Sequence, residues 1–280
     1  MHLRALVYGA FMDTRPIGVF DSGLGGLTTV KKLEEFLPEE NIIYLGDTGR
    51  VPYGSRSRET IIKYAGQDAA FLAGFDIKAM IIACNTACSV AYEILDNAYD
   101  IPVYEVVSAP AKTATVLTKN GKIGVIGTAA TIRSRAYESE IARIAPELCV
   151  FSTPCPLFVP LAENGRIGVE DIATLTIAED YLARLREFGV DTLIMGCTHY
   201  PLLRDVISKI MGTGVKLIDS GAETAKLVAE DLRDRDMTSP GGKKGIIKYF
   251  VTDSIDGFSE LASRFLESDV YGMVEQITLD

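Results

Sequence analysis

Short runs of Val, Ile and Leu recur along the chain, separated by longer stretches in which apolar residues return every three or four positions. That alternation predicts parallel strands joined by crossover helices. Strands are expected near 17–20, 42–46, 79–84, 103–107, 123–127, 148–152, 192–196 and 216–218, with helices at 25–37, 57–74, 86–98, 131–144, 170–188 and 201–211. A further strand within 245–253 and a helix at 255–266 close the pattern.

The pattern repeats. "PIGVFDSG" from residue 16 returns as "KIGVIGTA" from 122, and "AMIIACNTA" from 79 returns as "TLIMGCTHY" from 192, offsets of 122 − 16 = 106 and 192 − 79 = 113. A nearly constant offset predicts two similar doubly wound α/β lobes with mostly parallel sheets and a cleft between them. The first lobe is expected to comprise 1–108 plus 216–280 and the second 109–215. The last forty residues are expected to fold back onto the first lobe, because so short a piece cannot support a core of its own.

Composition narrows the function. A 280-residue chain with 48% hydrophobic residues has ample material for buried cores. Its 28 basic and 38 acidic residues give a net charge of −10, which repels phosphate backbones and anionic lipid, so neither nucleic acid nor membrane is expected as a partner. No apolar run approaches the roughly 20 residues that span a bilayer, and "MHLRALVYGAFMDTRP" lacks the cleavage site of a signal peptide. Five cysteines without close pairing read as reduced thiols in a cytoplasm.

Two of those cysteines carry the chemistry. Cys84 and Cys197 stand at equivalent points of the repeat, each ending an apolar strand, where ligands of open α/β sheets bind. Backbone N–H groups at the start of the following helix are expected to favour the thiolate. Covalent catalysis needs one such cysteine and leaves its twin without a role. A two-base reaction uses both, one thiolate removing a proton from a carbon and the opposite thiol delivering one to its other face. The result is inversion of a stereocentre.

The neighbouring residues offer polar contacts. Asn85 and Thr86, then Thr198 and His199, follow the cysteines directly and either cap helices or hold a substrate carboxylate. His199 is one of two histidines, the other being His2. Asp21 and Ser22 end the first strand before a glycine-rich turn that lacks the lysine of a phosphate loop, and Asp21 either caps a helix or holds a substrate ammonium beside Cys84. In "GDTGRVPYG" turn chemistry accounts for Pro52 and Gly54, and leaves the Tyr53 hydroxyl as a candidate ligand contact. Cys155 and Glu163 read from the residues alone as structural, and Cys88 and Cys149 as small core residues. No cysteine or histidine spacing matches a metal site, and no lysine signature points to pyridoxal phosphate, so no cofactor is expected.

Taken together, "GVFDSGLGG", "GDTGRVPYG", "ACNTA", "VIGTAATIRSRAY", "CPLFVPLAENG" and "GCTHYPLL" resemble bacterial glutamate racemases, within the cofactor-independent aspartate/glutamate racemase superfamily. The resemblance runs from about residue 16 to 266. It implies interconversion of L- and D-glutamate without cofactor, D-glutamate for peptidoglycan synthesis, and a homodimer. By motif, Cys84 and Cys197 are the acid/bases, Asp21 assists Cys84, and His199 with Glu163 assists Cys197. Ser22, Tyr53, Gly54, Asn85, Thr86 and Thr198 line the glutamate site with Asp21 and His199. Two departures stand out: Cys88 replaces a small Ala or Ser, and some fifteen N-terminal residues extend beyond a minimal member.

Three other readings use the same scaffold. A racemase of aspartate or a hydantoin differs only in its side-chain pocket. A decarboxylase needs a single cysteine. A binding protein that sequesters a partner such as DNA gyrase needs neither.

Overall fold

The computed structural model describes residues 13–270 and 272–279, so the N-terminal stretch with His2 lies outside the described residues. Among the described residues ten strands form two parallel sheets. They are β1 (Ile17–Asp21), β2 (Ile42–Gly46), β3 (Ala79–Ile82), β4 (Val103–Glu105), β5 (Lys122–Gly127), β6 (Cys149–Pro154), β7 (Thr192–Gly196), β8 (Lys216–Asp219), β9 (Ile247–Val251) and β10 (Val274–Gln276).

The order β2-β1-β3-β4 in the first sheet returns as β6-β5-β7-β8 in the second, and β9 and β10 extend the first sheet beyond β2. The repeat seen in the sequence is thus a repeat of topology. Central strands β1, β2, β3 and β7 are buried at every position, which is why they read as unbroken apolar runs. β9 lies beside β2 in register from Ile42↔Ile247 to Gly46↔Val251. β8, which a division at 216 assigns to the first lobe, pairs instead with β7 of the second sheet.

Helices pack against the sheets as crossovers, with three departures from expectation. The segment 131–144 is two helices, Ala129–Ser134 and Ala136–Ile144, broken at Arg135, whose φ of 58° is left-handed. Ser134 makes the break tolerable, its hydroxyl accepting from the Ala136 N–H at 3.3 Å. The segment 201–211 opens as a 3-10 turn, Tyr200–Leu203, before the helix Arg204–Met211. Helices Ser108–Leu117, Phe158–Glu163 and Ser220–Asp234 were not among those expected.

Cys88 is buried, its thiol donating to the Ile82 carbonyl at 2.9 Å. Cys149 is exposed, contrary to the expected core position, because β6 is the edge strand of its sheet. No helix of the described residues is long and apolar enough to cross a membrane.

Candidate active site

The carboxyl ends of β1, β3, β5 and β7 open on one cleft of about 660 Å³. Cys84 and Cys197 both line it, two residues past β3 and one residue past β7, central strands of the two sheets. Cys84 stands at the N-cap of the helix Asn85–Asp96 and makes no side-chain capping hydrogen bond, and Asn85 and Thr86 of the first turn line the cleft.

On the Cys84 wall the thiol donates to the Ser22 hydroxyl at 3.3 Å. Asp21 lies one layer beneath, 1% exposed, accepting from the Gly23 N–H at 3.0 Å and facing the Thr198 hydroxyl at 3.5 Å. Burial pushes the Cys84 thiol up to about 12, the Asp21 carboxyl adds to the rise, and the Ser22 hydroxyl opposes it. This reverses the expectation for Cys84: loss of water outweighs the helix N–H groups, so the thiol holds its proton. Burial likewise raises Asp21 above the usual carboxylate range.

The Cys197 wall is built differently. His199 stands with Nδ1 4.0 Å from the Cys197 sulfur and Nε2 3.0 Å from Glu163 Oε1. Burial disfavours its charged form, but contacts with Cys197 and Glu163 outweigh burial and push the imidazole up to about 10. An edge-on contact with the Phe265 ring, centroids 5.6 Å apart, fixes the other side of the imidazole.

Asn85 and Thr86 are buried at the cleft floor. The Asn85 amide is held from behind by Ser220 and by the Tyr137 hydroxyl at 3.3 to 3.4 Å. The Thr86 hydroxyl meets that of Thr128 at 3.0 Å, tying the helix after β3 to the end of β5. Thr198 and Gly54 also line the cleft.

Tyr53 lines it too, but not as expected. Its hydroxyl is turned inward onto the carboxyls of Asp47 and Asp68, leaving none of its polar end for a ligand. Burial and those two carboxyls hold the phenol proton tightly. Sequence reasoning passed over Arg133, the one Arg or Lys among the described residues lining the cleft, which makes no ion pair with the described residues. It stands in the motif "VIGTAATIRSRAY". Among the described residues no group of three or more His, Cys, Asp or Glu side chains is arranged to hold a metal ion.

A thiol on each of two walls, each with its own polar partners, can take a proton from one face of a small molecule and return one to the other. Comparison with known proteins narrows that chemistry. The family model described as Asp/Glu/Hydantoin racemase matches residues 18–228. The chain is 49% identical over 269 residues to the glutamate racemase of Geobacter metallireducens, covering 96% of this chain and 98% of that one. Its fold is similar to glutamate racemase from Francisella tularensis in complex with D-glutamate, with a TM-score of 0.89, 40% identity, and 96% and 99% of the two chains covered. The glutamate racemase isoform RacE1 of Bacillus anthracis is similar at the same TM-score of 0.89, with 38% identity over 94% of this chain and 97% of that one.

Proposed function

The chain belongs to the Asp/Glu/Hydantoin racemase family and interconverts L- and D-glutamate, and from that premise we propose that Cys84 and Cys197 are its two acid/bases, working on opposite faces of the substrate α-carbon. The observation that carries this reading is their placement at equivalent ends of β3 and β7, on two sheets that open on one cleft.

The two walls then divide the work. The Cys197 thiolate, beside the His199 imidazolium that Glu163 supports, removes the α-proton. Cys84, resting as a protonated thiol, delivers its hydrogen to the opposite face, and the configuration inverts. The forward stroke leaves Cys84 as a thiolate and Cys197 as a thiol, which is the state from which the reverse direction starts, and Asp21, a buried carboxyl of raised affinity, assists the proton exchange of Cys84. Negative charge builds on the α-carboxylate as the proton leaves. Asn85 and Thr86 at the helix N-terminus, with Thr198 and His199, hold that charge. Ser22 and the backbone around Tyr53 and Gly54 complete the glutamate site, and Arg133 draws the anionic substrate into the cleft. The chemistry as written uses only these side chains.

We place the enzyme in the cytoplasm as a homodimer, its product feeding peptidoglycan synthesis. Five unpaired cysteines support the reducing compartment. The dimer rests on family membership, and light scattering of the purified protein tests it.

The two-face assignment is tested by solvent deuterium exchange. Cys84→Ser and Cys197→Ser should both lose racemisation. Each keeps one base, so each should exchange the α-hydrogen of one enantiomer only, and the two mutants should choose opposite enantiomers. Exchange of the same enantiomer by both would defeat the assignment.

A further inference from the structure

The segment 51–55 forms one wall of the cleft, and the two-thiol chemistry does not explain the polar cluster sealed behind it. Asp47 and Asp68 are both fully buried. One cation serves them: Arg50 donates to Asp47 Oδ2 from Nε at 2.6 Å and to Asp68 Oδ1 from Nη2 at 3.0 Å. The Tyr53 hydroxyl touches both carboxyls, Asp47 at Oδ2 and Asp68 at Oδ2, the latter at 2.9 Å.

Counting hydrogens decides the protonation. A phenol has one hydrogen and can donate to one carboxyl only. The other contact requires a hydrogen from the second carboxyl. Asp47 is the better anion: besides Arg50 it accepts from the Thr252 hydroxyl at 2.9 Å, and Thr252 in turn accepts the Gly49 N–H at 2.8 Å, so its own hydrogen is free to donate. Tyr53 therefore donates to Asp47. Asp68 is left facing the lone pairs of the phenol oxygen, and only a protonated Asp68 makes that contact attractive. With Asp68 ionised, the cluster would bury two negative charges against one positive charge.

We propose that Asp68 is a neutral carboxylic acid whose Oδ2 hydrogen binds the Tyr53 oxygen, and that this chain from Asp68 through Tyr53 to Asp47 positions the 51–55 wall of the glutamate cleft. Asp68 is a positioning residue: it lies outside the cleft lining and acts through Tyr53. Burial and the Asp47 charge also favour its proton. The positioning role rests on the cleft being the site of racemisation; the protonation does not.

Three variants and one spectrum test it. Asp68→Ala should leave the Tyr53 oxygen unsupported, let the wall shift, and lower kcat/KM by ~10²-fold, the loss falling mainly on KM. Asp68→Asn should recover to within ~3-fold of wild type, since an amide donates to Tyr53 and accepts from Arg50 with the same shape. Asp47→Asn should not recover, because Asp47 must stay an anion. The infrared difference between wild type and Asp68→Asn, at a pH well above the ordinary carboxylate range, should show loss of an un-ionised carboxyl C=O stretch. A misfolded or equally impaired Asp68→Asn would overturn the proposal, as would loss of carboxylate bands instead. An unaltered KM in Asp68→Ala would overturn the positioning role alone.

Discussion

The His199 imidazole packs against the backbone of Gly25 so closely that a β-carbon on Gly25 would stand 2.6 Å from Nδ1. Gly25 belongs to the turn after β1, whereas His199 follows β7, so this contact joins loops of the two sheets. Thr28 adds to the same seam, its hydroxyl donating to the Thr198 carbonyl at 3.2 Å. The glycine is required by close approach and not by a left-handed backbone.

Gly25→Ala should therefore disable the enzyme without unfolding it. The added methyl would stand 2.0 Å from the Thr198 hydroxyl oxygen and 2.6 Å from His199 Nδ1, so it must displace Thr198 and His199 together, and a displacement near 1 Å lowers turnover by ~10²-fold. Steady-state racemisation beside far-ultraviolet circular dichroism checks this. Unchanged turnover in a folded variant would mean that the positions of Thr198 and His199 do not matter.

Glu163→Gln separates the charge of Glu163 from its shape. His199 keeps its proton up to about pH 10 with support from Cys197 and Glu163. Removing the carboxylate charge should bring the imidazole down by ~1 unit or more, so the high-pH limb of kcat/KM moves to lower pH. Stability has the same sign. A group held above its unfolded value, here about 6.5 for histidine, stabilises fully below that value and loses the effect as pH rises through the folded value. Glu163→Gln should then destabilise more at pH 6 than at pH 11 in urea titrations.

Much of this site was legible because the chain repeats itself. The Cys84 and Cys197 motifs fall at matching ends of apolar runs, and only a strand buried on both faces gives such runs. What escaped was set by tertiary context. The helix Ser220–Asp234 was missed although Ala225, Val228, Ala229 and Leu232 form a buried stripe at helical spacing and Asp219 caps it by accepting from the Ala222 N–H at 3.0 Å. The inward turn of the Tyr53 hydroxyl depends on Asp68, fifteen residues away on another element. The acidity of Cys84 was misjudged because a helix-terminus argument carries no measure of burial. Cys149 was misplaced because a sequence does not say which strand is the edge.

Arg133 gives a prediction about substrate capture. Glutamate brings two carboxylates and one ammonium to a protein of net charge −10, and Arg133 is the one Arg or Lys among the described residues lining the cleft. Arg133→Gln should lower kcat/KM by up to ~10-fold at low salt, and the loss should shrink as ionic strength rises. A loss independent of salt would point to a fixed contact in place of long-range attraction.

The cysteines should differ sharply toward alkylating agents, because the thiolate is the form that reacts. Cys149 is exposed on an edge strand, whereas Cys84 is 5% exposed and held as a thiol to about pH 12. With iodoacetamide at pH 8, peptide mass spectrometry should find Cys149 modified well before Cys84. Raising the pH to 9.5 should still leave Cys84 slow, because it stays almost wholly protonated there. Asp21→Asn should narrow the gap, since removing the neighbouring negative charge lowers the Cys84 thiol toward its ordinary range. If Cys84 instead reacts as fast as Cys149 at pH 8 in the unliganded enzyme, it rests as a thiolate, and the division of labour between a waiting acid at Cys84 and a ready base at Cys197 fails.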